Sequence, residues 1–114
     1  MPPEANKPAE IPVKAPENVK EFIEQGWRLH VQKDYTRSEA DFRKALSLDN
    51  SSIEAYYGLG LSLKMQGQNA DALEALQTVI KLVESKSIHE DPNRITMLRR
   101  LTEAHINILK GNTL

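Results

Sequence analysis

From residue 19 onward, large and small apolar residues return at spacings of three and four, the period of a helix with one buried face. Phe22, Gly26 and Leu29 share such a face, and the pattern then breaks at Lys33-Asp34-Tyr35. It resumes with Phe42, Ala45, Leu46 and Leu48, and Asp49-Asn50 ends it. Thr36-Arg37-Ser38-Glu39 reads as a capping box for this second helix, because Thr36 and Glu39 can each satisfy a free amide of its first turn. Two helices joined by a short turn are therefore predicted over residues 19–52.

The chain then repeats itself. An offset of 34 residues lays Val19–Ser52 on Ile53–Lys86 without a gap. Phe22 meets Tyr56, Gly26 meets Gly60, Leu29 meets Leu63, Phe42 meets Leu76 and Ala45 meets Val79. Self-similarity at this period marks stacked supersecondary units, which a bundle of unrelated helices would not show. In the second copy Ser51 and Glu54 are placed to cap the first helix, Gly67 suits a left-handed helix end, and Asn69 is the candidate cap of a helix running to about Glu84. A fifth helix is expected to open at Asp91-Pro92 and to stop at Gly111. Its expected buried face is Ile95, Leu98, Leu101, His105 and Ile108 or Leu109. Residues 85–90 are an insertion against the strict period, so the register of this helix does not follow from the repeat.

The period and residue types resemble the tetratricopeptide repeat (TPR), a helix–turn–helix unit. The first copy supplies Phe22, Gly26, Leu29, Ser38, Phe42 and Ala45; the second supplies Tyr56, Leu59, Gly60, Leu63, Ala72, Leu76 and Val79. Departures are Gln25 where the family prefers an aliphatic, Asn69 for the aromatic given by Tyr35, Val79 for a smaller residue, and Asn50 for the usual closing proline. The resemblance implies an all-α fold, a right-handed α-α superhelix of about five helices behind a disordered tail. Its expected parts are a proline-rich tail at 1–18, repeats at 19–52 and 53–86, and a capping helix at 91–111. Gly26 and Gly60 would let the two helices of each pair approach closely.

Composition adds exclusions. Five of the six prolines stand in residues 1–18 with few large apolar groups, which reads as a linker. A proline-rich ligand is the rival reading, but no pair has the P-x-x-P spacing. The net charge is −1, and residues 19–52 balance six basic against six acidic side chains, so nothing points to nucleic acid or an acidic membrane. Cysteine is absent, which removes disulfides, thiolate nucleophiles and sulfur-ligated metal. No signal pattern and no membrane-length apolar run is present, and a cytoplasmic location is the expectation.

Chemistry is sparse. His30, His89 and His105 are far apart and none has the H-E-x-x-H spacing. His89-Glu90-Asp91 is a weak metal corner better read as a solvated turn. Gly58-Leu59-Gly60 lies inside a helix and is not a phosphate loop, and Asn50-Ser51-Ser52, though a glycosylation sequon, reads as turn and cap. No catalytic residue, metal or cofactor is expected, and an enzyme is the reading with least support.

The resemblance instead implies protein binding. First helices of each repeat line a concave groove, and position by position these are Ile23, Trp27, His30 and Val31 from the first copy and Tyr57, Leu61, Lys64 and Met65 from the second. If Leu98 begins the register of the last helix, Arg99, Glu103 and Ile106 join them. Trp27 is the anchor, unless this chain's own tail or last helix covers it. Family members that clamp acidic chaperone C-termini carry lysine and asparagine where Ile23, Trp27 and Gly58 stand here, so that subclass is set aside. The expected function is a scaffold or adaptor whose groove takes a hydrophobic or amphipathic segment of a partner. The alternative is self-association, a homodimer built on the same apolar surface.

Overall fold

The computed structural model describes residues 15–86 and 91–111, and among them the chain forms five α-helices and no strand. They are α1 (Val19–Val31), α2 (Tyr35–Leu48), α3 (Ile53–Met65), α4 (Asn69–Lys86) and α5 (Pro92–Leu109). The tail at 1–14 and the corner residues His89 and Glu90 lie outside the described residues.

Local chemistry sets the boundaries. Asn18 caps α1 by accepting from the Glu21 amide. The cap of α2 is Asp34, which accepts from the Arg37 amide, and not Thr36 as the capping box suggested. Lys33, at φ 65°, turns the chain so that Asp34 is already in capping position, and Glu39 is left to bond Arg43 and Gln66 instead. On α3 the cap is Ser52, one residue beyond the expected Ser51, whose hydroxyl bonds Asp49. Gly67 and Gly111, both at φ 78°, end α3 and α5 in the left-handed conformation that glycine adopts without steric cost. Asp91 and Pro92 open α5 as expected.

α1 packs chiefly on α2, α3 on both α2 and α4, and α5 on α4, with a lesser contact between α1 and α3. This is a stack of helical pairs. Its centre is Phe42 of α2, fully buried, whose ring fills the space left by two glycines. A methyl group on Gly26 would lie 2.9 Å from that ring, and one on Gly58 would lie closer still. The second repeat copies the first half of the arrangement: a methyl group on Gly60 would stand 2.7 Å from Leu76 of α4. Each pair is thus held close by a glycine facing a large residue, and Gly58 in addition joins the second pair to the first.

A buried polar chain crosses the same interface. Ser38 Oγ lies 2.8 Å from the Gly26 carbonyl and 2.8 Å from Ser62 Oγ, and Ser62 Oγ lies 3.3 Å from His30 Nδ1. Each hydroxyl has one proton to give. Ser38 must donate to the carbonyl, so Ser62 donates to Ser38 and His30 donates from Nδ1 to Ser62. The three groups therefore point one way, from α1 through α3 and α2 back to α1. This network was not legible beforehand, because serine at a small position gives the same signal as alanine.

On α5 the buried residues are Ile95, Thr102 and Ile106, with Leu98 half-buried. Of the expected face, Ile95 is buried and Leu98, His105 and Leu109 are half-buried, but Leu101 and Ile108 are turned away and exposed. Ile95, Leu98 and Thr102 take the places on α5 that Ala55, Gly58 and Ser62 take on α3. A polar residue at the buried Thr102 position hid this register. Its hydroxyl is satisfied within its own helix, 2.7 Å from the Leu98 carbonyl.

Candidate functional site: the inner face of α1, α3 and α5

Laying α1, α3 and α5 on one another by offsets of 34 residues and of the spacing from Ala55, Gly58 and Ser62 to Ile95, Leu98 and Thr102 groups their inner positions in rows. Lys20, Glu54 and Arg94 form the row at the helix N-termini. Next come Ile23, Tyr57 and Met97, then Trp27, Leu61 and Leu101. His30, Lys64 and Ala104 follow, and Val31, Met65 and His105 close the face.

Contacts between side chains tie the rows together. The Trp27 indole N–H donates to Glu54 Oε2 at 3.2 Å, and the other Glu54 oxygen stands 3.8 Å from Arg94 Nη2. One carboxylate thus links α1, α3 and α5. Trp27 meets the Phe42 ring edge-on at 5.0 Å between centroids and the Tyr57 ring at 6.1 Å. Tyr57 in turn faces His105 at 6.2 Å. Such tilted and edge-on pairs add roughly 0.5–1.5 kcal/mol each beyond area burial. Burial pushes the Tyr57 hydroxyl above its ordinary pKa.

The two histidines of the face hold opposite tautomers. His30 donates from Nδ1 and packs edge-on against both Trp27 and Tyr35. Burial holds its pKa below the ordinary value. His105 Nδ1 lies 2.9 Å from Lys64 Nζ, and a lysine ammonium only donates, so this nitrogen is bare. Burial and, second, the Lys64 charge hold the His105 pKa low.

The residues expected in the groove fare differently. Trp27, His30, Tyr57, Leu61 and Lys64 are half-buried on the inner face, and Val31 and Met65 are exposed there. Ile23 is the most buried of the set: it packs in the core cluster that holds Phe42 and Leu59, and with Val19, Trp27 and Glu54 it lines a cavity of about 440 Å³. Of the α5 residues, Ile106 is buried and Arg99 pairs with Glu84 of α4 at 3.6 Å. With Glu103 they line a cleft against α4, so they face away from the groove. On the register set by Ile95, Leu98 and Thr102, the α5 residues in the inner-face rows are Arg94, Met97, Leu101, Ala104 and His105. They were missed because the insertion displaced the register.

Exposure singles out this face. Among the described residues six large hydrophobic side chains are exposed; four stand in these rows, Val31 at 80%, Met65 at 54%, Met97 at 59% and Leu101 at 46%, and a fifth, Ile108 at 58%, lies beyond them on α5. The sixth, Leu48, ends α2. The outer side differs in kind. Its cleft between α2 and α4, about 380 Å³, carries Arg43, Asp71, Glu74 and Thr78 around Leu46 and Tyr56.

Comparison with known proteins gives a short match. The chain is similar to the E3 ubiquitin-protein ligase CHIP of Arabidopsis thaliana, with 37% identity over 51 residues. That stretch is 45% of this chain and 18% of the ligase, so the chain spans under a fifth of the relative it matches. No family model matches the chain. Among the described residues no group of three histidine, cysteine or acidic side chains is placed to hold a metal ion, and no helix is long and apolar enough to cross a membrane.

Proposed function

We propose that the chain is a protein-interaction module of the tetratricopeptide-repeat type, and that its inner face takes a hydrophobic or amphipathic segment of another protein. The observation that carries this reading is the concentration of exposed large apolar side chains on α1, α3 and α5. Fully burying one such side chain contributes about 1.5–3 kcal/mol, so three or four of them can drive docking. The similarity to CHIP of Arabidopsis thaliana supports the class of module and leaves the partner open. A scaffold or adaptor role is the finer form of the same reading.

The end faces bear on the rival, self-association. On α1 the side where a preceding pair would stack carries Glu21, Glu24 and Arg28. On α5 the side where a further helix would pack carries Thr96, Arg100, Glu103 and Asn107. Both ends are polar, which disfavours growth by stacking. Self-association on this reading would use the apolar inner face.

Affinity capture with the full chain tests the reading. Met97→Glu and Leu101→Glu should each lose a protein that the unchanged chain and a Lys44→Glu variant retain, with helicity intact in all four. Retention by the inner-face variants would contradict it. Sedimentation at two concentrations then separates a partner from a second copy.

A further inference from the structure

We propose that the inner face contains an anion site at Lys64, where a partner segment seats a carboxylate between large apolar side chains. The proposal rests on the reading of this face as a docking surface and names the chemistry of what docks.

Charge on the face is unevenly placed. At the helix N-termini Lys20, Glu54 and Arg94 stand together, and Glu54 is matched by Arg94 and the Trp27 N–H. At the other end Lys64 is the single formal charge in its row, between His30 and Ala104. Among the described residues its nearest polar partner is the His105 nitrogen at 2.9 Å, and no carboxylate lies within ion-pair distance. Around Lys64 are Tyr57, Met65 and Leu101, of which Met65 and Leu101 are exposed. An acidic side chain flanked by leucine-like residues complements this arrangement in both respects, and a charge-assisted bond to Lys64 would replace a weaker contact to imidazole.

His105 makes the site proton-linked. The groups that face its ring are Lys64 and Tyr57, both of α3. α4 reaches α5 elsewhere, through Glu84 and Arg99. With a carboxylate seated, Lys64 turns to it and the bare Nδ1 is free to take a proton and donate to the same anion. Binding of an acidic segment therefore strengthens on mild acidification.

The probe is a displayed library of random dodecapeptides, panned against the full chain and against its Lys64→Met variant. Peptides selected by the unchanged chain should carry Asp or Glu beside large apolar residues. Changing that acid to its amide should weaken binding at least about tenfold, and the loss should vanish in the Lys64→Met background and persist in Lys64→Arg. Binding should be tighter at about pH 6 than at about pH 8, with the His105 ring signals moving on addition of peptide. Peptides that dock on the inner face without an acid, or an acid-to-amide change equally costly in Lys64→Met, would overturn the anion site and leave the docking surface standing. Peptides whose chemical-shift changes map to α2 and α4, or no selected peptide together with a dimer in sedimentation, would overturn the docking surface and the site with it.

Discussion

α3 and α5 occupy equivalent places in the stack and are built on opposite plans. α3 is buried on both flanks: Ala55, Gly58 and Ser62 meet α2, while Gly60 and Leu63 meet α4. α5 buries one flank only, through Ile95, Thr102 and Ile106, and turns Thr96, Arg100, Glu103 and Asn107 to solvent where a further helix would pack. Yet both present apolar groups to the inner face, Tyr57 and Leu61 on one, Met97 and Leu101 on the other. A helix that only closed the stack would be polar on every side but one. On the proposed reading, the retained apolar inner row lets α5 extend the docking surface beyond α3.

That contrast can be broken at its strongest point first. Phe42→Ala removes the ring around which Gly26 and Gly58 are built and should cost about 3–5 kcal/mol, read by chemical denaturation. Gly58→Ala pushes a methyl group into the same ring and should cost about 1–3 kcal/mol, against the gain of up to about 1 kcal/mol that alanine gives in an exposed helix. The buried hydroxyls of the two helices should separate next. Ser62→Ala leaves His30 and Ser38 each short of a partner and should cost about 1–2 kcal/mol. Thr102→Val, whose hydroxyl bonds only its own helix, should change stability by less than about 0.5 kcal/mol.

The pH dependence has a definite sign. His30 and His105 have folded pKa values below the ordinary 6.5, so in the window beneath 6.5 the unfolded chain binds more protons than the folded one. Stability should fall on acidification through that window and be flat above it, and His105→Gln should reduce the slope. Glu39 acts in a lower window: burial would raise its pKa, but its bonds to Arg43 and Gln66 outweigh that and depress it, so its contribution is lost only as pH falls below 4.5. The smallest effect is expected on the outer flank of α5. Arg100→Ala and Glu103→Ala should each stay within about 0.5 kcal/mol. The double change to leucine should instead make sedimentation concentration-dependent, by opening a polar end to stacking.

How much of this was legible follows from which signals are unambiguous. The repeat was readable because Gly26 with Phe42 and Gly60 with Leu76 are matched pairs of extreme size, which only close helix contact requires. Caps drifted by a residue or two, at Asp34 for Thr36 and Ser52 for Ser51, because adjacent polar residues can each serve. The α5 register was illegible for a different reason. The insertion removed the offset, and Thr102 in the buried row with Leu101 outside it reversed the usual polar-out pattern. The burial of Ile23 was not legible, because its spacing gives the same signal whether the side chain packs on the core or lines the face beside Trp27.

The central claim is that the inner face, and not the outer one, receives a partner. Chemical-shift mapping with a peptide selected on the full chain tests it most directly. The account predicts changes at the Trp27 indole and at Tyr57, Leu61, Met97 and Leu101, with α2 and the outer side of α4 unmoved. Changes confined to Arg43, Asp71, Glu74 and their neighbours on the outer cleft would contradict it.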